Sequence, residues 1–430
     1  MPADFSGVVA RPTNLAGSTR DFSPEELYWI AREFEVGVIT GIEYFIDRGN
    51  INLHTFLVQD EDGGSFLLQR LNTDVFTQPH RVMGAMQDWI GCQARAVNKR
   101  KVQWVPITLV PTRSGEPYLD LSDQTGHSVW RTMVRIPDIL SYKNLGQLPT
   151  RMKSLSLAEE TGRGLALNSD LVSEMNIDHL VSSLPGYRDT AGYYAQLHSV
   201  LAGHVSEPET ESLLPKDEEV RHATSHLYRL AIDPEEARRR REDPEVASFI
   251  EQALENESWA TGLQQAVATG EVRRTAVHGD TKIENFLFCK YTGQVRSLVD
   301  LDTIMPYTWL ADWGDMVRSL SNVAGEKEPD PEQIQVDQEV YAAVTRGFLT
   351  TAQEATAAET AWMPEAVETI ATELGVRFLT DYLRGDNYFL LGPGDPPDLN
   401  KTRGIGQLTL AKRLKEMRPW AEETVRHYSR

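Results

Sequence analysis

The stretch Val277-His-Gly-Asp-Thr-Lys-Ile-Glu-Asn-Phe-Leu-Phe288, followed by Ser297-Leu-Val-Asp-Leu-Asp302, decides how this chain reads. Residues 285–288 and 297–300 are short apolar-rich runs, and Tyr291-Thr-Gly-Gln294 between them carries a glycine suited to a tight hairpin turn. A two-residue loop at Thr292-Gly293 pairs Tyr291 with Gln294 and, counted outward, sets Asn285 opposite Asp300. Directly paired residues share a face of the sheet with Cβ atoms about 5 Å apart. An amide oxygen and a carboxylate would then converge at the open end of the hairpin, as a hard cation such as Mg²⁺ prefers. Asp280, on the preceding loop, has room to act as a base. Metal-held phosphates, and a carboxylate that orients an attacking hydroxyl and accepts its proton, are the parts that phosphoryl transfer uses. Asp302 falls on the face of Asp300 if the strand continues. There it either holds a second metal, steadies the first, or caps the turn before Pro306.

Working outward, 430 residues exceed the size at which one core usually keeps growing, so two lobes are expected. Cys92 and Cys289, far apart in sequence, argue for a reducing compartment and against a disulfide framework. The first residues show no charged segment followed by an apolar one, and no apolar run approaches the ~20 residues of a membrane helix. A cytoplasmic protein with no membrane partner is expected. The formal net charge of −20 disfavours nucleic acid polymers. The basic run Arg238–Arg241 lies among acids and reads as a solvated helix face. No His/Cys spacing suggests zinc, and no Gly-x-Ser-x-Gly elbow suggests a serine hydrolase.

The chain divides in character near residue 137. Ser23 is a natural N-cap, with Pro24 and acids in the first turn of a helix over about 24–34. Runs at 37–45, 51–58 and 65–71, separated by glycine-bearing stretches, predict hairpin-connected strands. A helix over 79–99 and strands near 102–110, 117–120 and 128–135 complete a mainly antiparallel amino-terminal lobe, 1–137. From 138 to 430 the pattern turns helical, with apolar spacing near 3.6 residues at 158–169, 187–201, 218–230, 244–269, 333–355, 364–383 and 407–427. The catalytic hairpin interrupts this lobe. Residues 206–243, rich in Glu, Arg and Pro, read as an exposed insertion.

His278-Gly-Asp280 with Asn285, followed by Val299-Asp300, resembles the catalytic and metal-binding segments of the aminoglycoside phosphotransferase and choline kinase superfamily, relatives of protein kinases. Asp280-Thr-Lys-Ile-Glu-Asn285, Val299-Asp-Leu-Asp-Thr-Ile-Met-Pro306, Asp312-Trp-Gly-Asp-Met-Val-Arg318 and the block 377–389 resemble, within it, the N-acetylhexosamine 1-kinases. So do Ile39–Glu43 and Phe66–Asn72. The resemblance runs in blocks from about residue 26 onward. It implies an α+β, bilobal protein-kinase-like fold, ATP as phosphoryl donor, Mg²⁺, and a small-molecule acceptor such as a hexosamine sugar.

The resemblance also implies roles. Asp280 is the catalytic base; Asn285, Asp300 and Asp302 are metal ligands; His278 and Asp315 brace the loop. The turn 47–52 stands where kinase-like folds cover the phosphates, with Gly49, Asn50 and Asn52 as candidates. Kinases place a lysine on the third strand; the corresponding run offers Gln69 and Arg70, of which Arg70, always charged and forked, is the better phosphate ligand. Tyr382, Asp386 and Arg403 fall at the acceptor end. The chain departs from these kinases at Tyr307-Thr-Trp309, at 391–400 and in the insertion, which leaves an aminoglycoside, choline or amino-alcohol acceptor as the alternative. A non-catalytic kinase-like binding protein is a further one, because the strand lysine is missing.

Overall fold

Ser23 caps the first helix, α1 (Pro24–Arg32), as its sequence predicts: its hydroxyl accepts from the Glu26 amide, and the Glu26 carboxylate accepts from the Ser23 amide. The computed structural model describes residues 21–45, 51–52, 54–124, 126–392 and 394–429. After α1 come β1 (Ile39–Tyr44), β2 (Thr55–Asp60), β3 (Ser65–Arg70), α2 (Pro79–Arg100), β4 (Leu109–Val110), β5 (Leu119–Asp123) and β6 (Gly126–Val134). They form one antiparallel sheet ordered β1-β2-β3-β6-β4, with β5 also on β6. Strand alternation gives the sheet two different faces. Phe56, Leu68 and Trp130 pack with Phe22, Leu27 and Ile30 on the α1 side. Leu71 and Val129 pack with Met83, Met86 and Trp89 of α2 on the other, and that cluster continues into Ala276, Leu301 and Ile304 beside the segment 277–302. Cores this continuous set the sheet lobe against the hairpin that follows Asp280.

The chain leaves the sheet after Val134, and its next strand, β7 (Ile139–Leu140), pairs with residues 288–289 of the later hairpin instead. The helices α3 (Arg151–Val172), α4 (Thr190–Leu201), α5 (Glu207–Thr210), α6 (Glu218–Thr224), α7 (Pro234–Glu242), α8 (Pro244–Glu255), α9 (Glu257–Ala260) and α10 (Gly262–Thr269) follow. Then come β8 (Thr275–Val277), β9 (Phe286–Cys289), β10 (Val295–Leu298), β11 (Met305–Tyr307), α11 (Trp309–Ser321), α12 (Gln338–Leu349), α13 (Ala357–Arg384), α14 (Leu399–Glu416) and α15 (Arg418–Tyr428). Among the described residues no helix is long and apolar enough to cross a membrane.

Three helical expectations change. The run 244–269 is broken into α8, α9 and α10, because Asn256 and Thr261 stand as caps inside it. The run 407–427 breaks at Met417, with Pro419 opening α15. Pro364, read as a helix start, lies inside α13, whose true beginning is a capping box of Thr356 and Glu359. In the centre of this lobe Trp309 stacks on Phe348, and Trp313 donates from Nε1 to the Met363 carbonyl.

The hairpin departs from its predicted register by two residues at the turn, where the Cys289 amide donates to the Gln294 carbonyl, and by one at its open end. Phe288 faces Val295, but beyond an irregularity there Leu287 faces Ser297 and Phe286 faces Leu298. The Val299 amide donates to the Asn285 carbonyl at 2.9 Å, so Asn285 lies opposite Val299, not Asp300. A one-residue slip sends a side chain to the opposite face. Asp300 leaves the strand with φ +67°, a left-handed conformation that aspartate tolerates better than most side chains. It enters the cleft from a turn rather than along a ladder.

Candidate active site

The Asp280 loop is built on a constriction. Gly279, at φ +88°, brings the backbone so near residue 303 that a Cβ would stand 2.7 Å from the Thr303 carbonyl oxygen. His278 is buried beside it; its Nε2 lies 2.9 Å from the Val299 carbonyl, and its Nδ1 accepts from the Asp280 amide at 3.3 Å. Those two contacts require the neutral tautomer with the proton on Nε2. Asp312 accepts from the amides of His278 and Gly279, both at 2.8 Å. One turn on along α11, Asp315 accepts from the Thr281 amide at 3.1 Å. Burial works against the Asp315 charge, but Arg318, Arg188 and Lys282 outweigh it and hold the carboxyl at about 2. Arg188, at φ +63°, spends its guanidinium on Glu373 (2.9 Å) and the Gly279 carbonyl (3.1 Å).

On this frame Asp280 stands half-buried, 3.2 Å from the Lys282 ammonium. Lys282 is drawn well above its ordinary pKa, first by Asp280 and then, against burial, by Asp315 and Glu326. Asn285 donates from Nδ2 to the Asp280 carbonyl at 2.8 Å, which leaves its Oδ1 turned elsewhere. Burial, then the neighbouring charges of Asp302 and Asp280, push Asp300 up to about 7, while Arg131 and Lys282 work the other way. The charges of Asp302 and Asp280 both act on Asp300, although among the described residues no three acidic, histidine or cysteine side chains are already gathered into a metal cage. An amide oxygen, a strained carboxylate and like charges in need of relief fit a hard divalent cation.

The sheet lobe reaches the same place. Asn52, one of the expected nucleotide contacts, donates from Nδ2 to Asp302 at 2.5 Å and accepts from the Asn72 amide; Gly49 and Asn50 lie outside the described residues. Asp302 is buried, and Arg131 of β6 stands 2.5 Å from its Oδ1. Gln69 and Arg70 part company: Arg70 lies on the Leu68 face with its guanidinium over the Phe22 ring, and Gln69 points to the cleft, where it binds Arg131.

At the acceptor end, Tyr382 and Asp386 are engaged by the insertion. Arg240 of α7 lies over the Tyr382 ring and pairs with Asp386 at 2.6 Å, and Asn400 donates to the same carboxylate. Arg403 pairs with Glu326 and covers the Phe378 ring. Five residues before Tyr382, Arg377 sits among the rings of Tyr187, Tyr193, Tyr388 and Phe389, with 4.8–5.6 Å to their centroids. Among the described residues it donates to the Tyr388 hydroxyl at 3.2 Å, and no carboxylate pairs with it. The Tyr187 hydroxyl donates to the Gly279 carbonyl at 2.9 Å, so the ring cage adjoins the Asp280 loop.

Residues 45–348 match the sequence profile of the phosphotransferase enzyme family. The chain belongs to that family. Its fold is similar to that of an aminoglycoside phosphotransferase from Alicyclobacillus acidocaldarius, with a TM-score of 0.53 at 15% identity over 94% of this chain and 98% of that one. A microcompartment-associated aminopropanol kinase gives 0.53 at 14% over 91% and 98%. An amicoumacin kinase, solved with AMP-PNP and Ca²⁺, gives 0.50 at 11% over 93% and 94%. At these identities the likeness speaks for the fold, and that fold is the bilobal α+β one the sequence predicts.

Against this phosphotransferase frame, sequence reasoning overlooked four cations. Lys282, two residues after Asp280 in the catalytic loop, had a local signal. Arg377 opens the acceptor block and was passed over for its neighbours. Arg131 and Arg188 had none, because each acts through partners far away in sequence.

Proposed function

We propose that this phosphotransferase is an ATP- and Mg²⁺-dependent kinase that phosphorylates a sugar hydroxyl, the anomeric hydroxyl of an N-acetylhexosamine or a related sugar. The observation that carries the reading is the junction at Gly279, where the loop bearing Asp280 is bonded to Tyr187 of the cage around Arg377. Aromatic faces suit the C–H surfaces of a sugar ring, and a guanidinium without a carboxylate partner suits hydroxyl and acyl oxygens. The same guanidinium would repel the ammonium of an amino alcohol.

Asp280 would orient the acceptor hydroxyl and take its proton as the oxygen bonds to the γ-phosphorus and the bond to the bridging oxygen of ADP breaks. Lys282, already beside Asp280, would balance charge on the transferred group. Asn285 and Asp300 would hold the divalent cation, with Asp302 next to them. Such a cation neutralises the triphosphate and orients it for in-line attack. Asn52, two residues after Asn50 in the sequence, donates to the same Asp302 carboxylate.

The test is turnover of Mg²⁺-ATP with a panel of N-acetylhexosamines, hexoses, aminoglycosides, choline and aminopropanol, each product identified by NMR. A 1-phosphate of an N-acetylhexosamine is the expected product. Activity confined to the cationic acceptors would overturn the sugar reading. Adding EDTA should abolish turnover and excess Mg²⁺ restore it.

A further inference from the structure

A triphosphate held on a sheet needs a fixed positive charge facing the cleft, and on β3 the residue in that position is neutral Gln69. The charge arrives from the neighbouring strand. Arg131 lies directly opposite Gln69 on β6, almost wholly buried, and donates to Gln69 Oε1 from both Nε (3.0 Å) and Nη2 (2.6 Å). Its Nη1 reaches Met86 Sδ at 3.4 Å. Gln69 is fixed in turn, its Nε2 donating to Thr55 Oγ1 at 3.0 Å. All these partners are neutral, so they aim the guanidinium without cancelling it.

A buried cation needs a counter-charge. The buried residues of α2, Met86 among them, include no acid that could supply one. The carboxylate in contact is Asp302, which belongs to the metal-binding segment of the other lobe and also holds Asn52. A carboxylate and a phosphate offer a guanidinium the same paired oxygens. We propose that Arg131, propped by Gln69, is the group that holds the donor's phosphates where other kinases use a strand lysine, and that phosphate takes the place Asp302 now fills. Asp302 is then released toward the cation, so entry of the nucleotide and completion of the metal site become one event. This rests on the reading of the protein as a nucleotide-dependent kinase.

The alternative is a purely structural ion pair between the lobes, and the phosphate chain of the ligand separates the two. Dissociation constants of ATP, ADP and adenosine, measured by calorimetry on the full chain with and without Mg²⁺, supply the readout. Arg131→Gln should weaken ATP and ADP by roughly 10- to 100-fold, the worth of one charge-assisted contact, and leave adenosine unchanged. Arg131→Lys, which keeps the charge, should recover part of the loss. Unchanged ATP affinity in Arg131→Gln, or equal losses for ATP and adenosine, would overturn the assignment. If Arg131→Gln does not fold, Gln69→Leu decides, because it removes the prop and keeps the charge: a several-fold fall in the ratio of ATP to adenosine affinity supports the role, and an unchanged ratio overturns it. Wild-type protein that binds neither nucleotide nor adenosine would instead refute the kinase reading itself.

Discussion

Arg188 and Arg377 are two cations that both lie over the Tyr187 ring, and they differ in what they are given. Arg188 is consumed: Glu373, the Gly279 carbonyl and Asp315 all lie within 3.8 Å of its guanidinium. Arg377 has rings on its faces and one tyrosine hydroxyl. A charge whose partners are all in the protein fixes geometry, and one left with rings and a hydroxyl keeps donors for a ligand. The region around Arg188 is therefore scaffold, and on the proposed function the region around Arg377 is recognition.

The contrast breaks or holds under substitution. Asp280→Asn, at the point where the two regions meet, should lower turnover by about 10²- to 10⁴-fold, the usual worth of a positioned base, with ATP affinity nearly intact. Near-normal turnover would remove Asp280 from the reaction. Arg188→Met strands Glu373 as a buried anion and should destabilise the fold by about 3–5 kcal/mol in urea unfolding. A loss below ~1 kcal/mol would mean that Arg188 is not scaffold. Arg377→Met should raise the KM for the acceptor by roughly 10-fold or more, with stability and the KM for ATP little changed. If stability fell as far as in Arg188→Met, the distinction between the two arginines would collapse.

The mildest effect is one of pH. The Asp315 carboxyl sits at about 2 in the folded protein, below its ordinary value near 4. It therefore adds stability that is present above pH ~4 and is lost as pH falls toward 2. Asp315→Asn should flatten the acid limb of a plot of unfolding free energy against pH, and an unaltered limb would show that another carboxylate governs it.

The loop from His278 to Asn285 was legible as one unit because its residues are consecutive, and an antiparallel sheet ahead of a mainly helical part because the hydrophobic period changes along the chain. Long-range pairing was not legible. The hairpin register failed at the turn, where Cys289 pairs with Gln294 across a longer loop than Thr292-Gly293, and the irregularity between Val295 and Ser297 recovers only one of the two residues lost. Arg131 looks like any strand residue until β3 is laid beside β6, and Gln69 is 62 positions away. The start of α13 is different, since Thr356-Ala-Ala-Glu359 is a recognisable capping box that the more conspicuous Pro364 overshadowed. The substrate-end candidates failed to separate because Tyr382 and Asp386 are the right residue types for a sugar, yet a distant insertion supplies Arg240 to both.

The tight passage at Gly279 has a consequence for how this enzyme can be altered. Backbone of the Asp280 loop is pressed against backbone of the Asp302-Thr303 turn, and the Thr303 hydroxyl closes on the His278 carbonyl at 2.7 Å. On the proposed reading the phosphoryl-transfer centre is thus a single casting, whereas the ring cage meets it through separate side chains, the Tyr187 hydroxyl donating to the Gly279 carbonyl and the Tyr193 hydroxyl accepting from the Arg188 amide. New acceptors are accessible by changing the rings around Arg377, and the reaction carried out on them would stay the same.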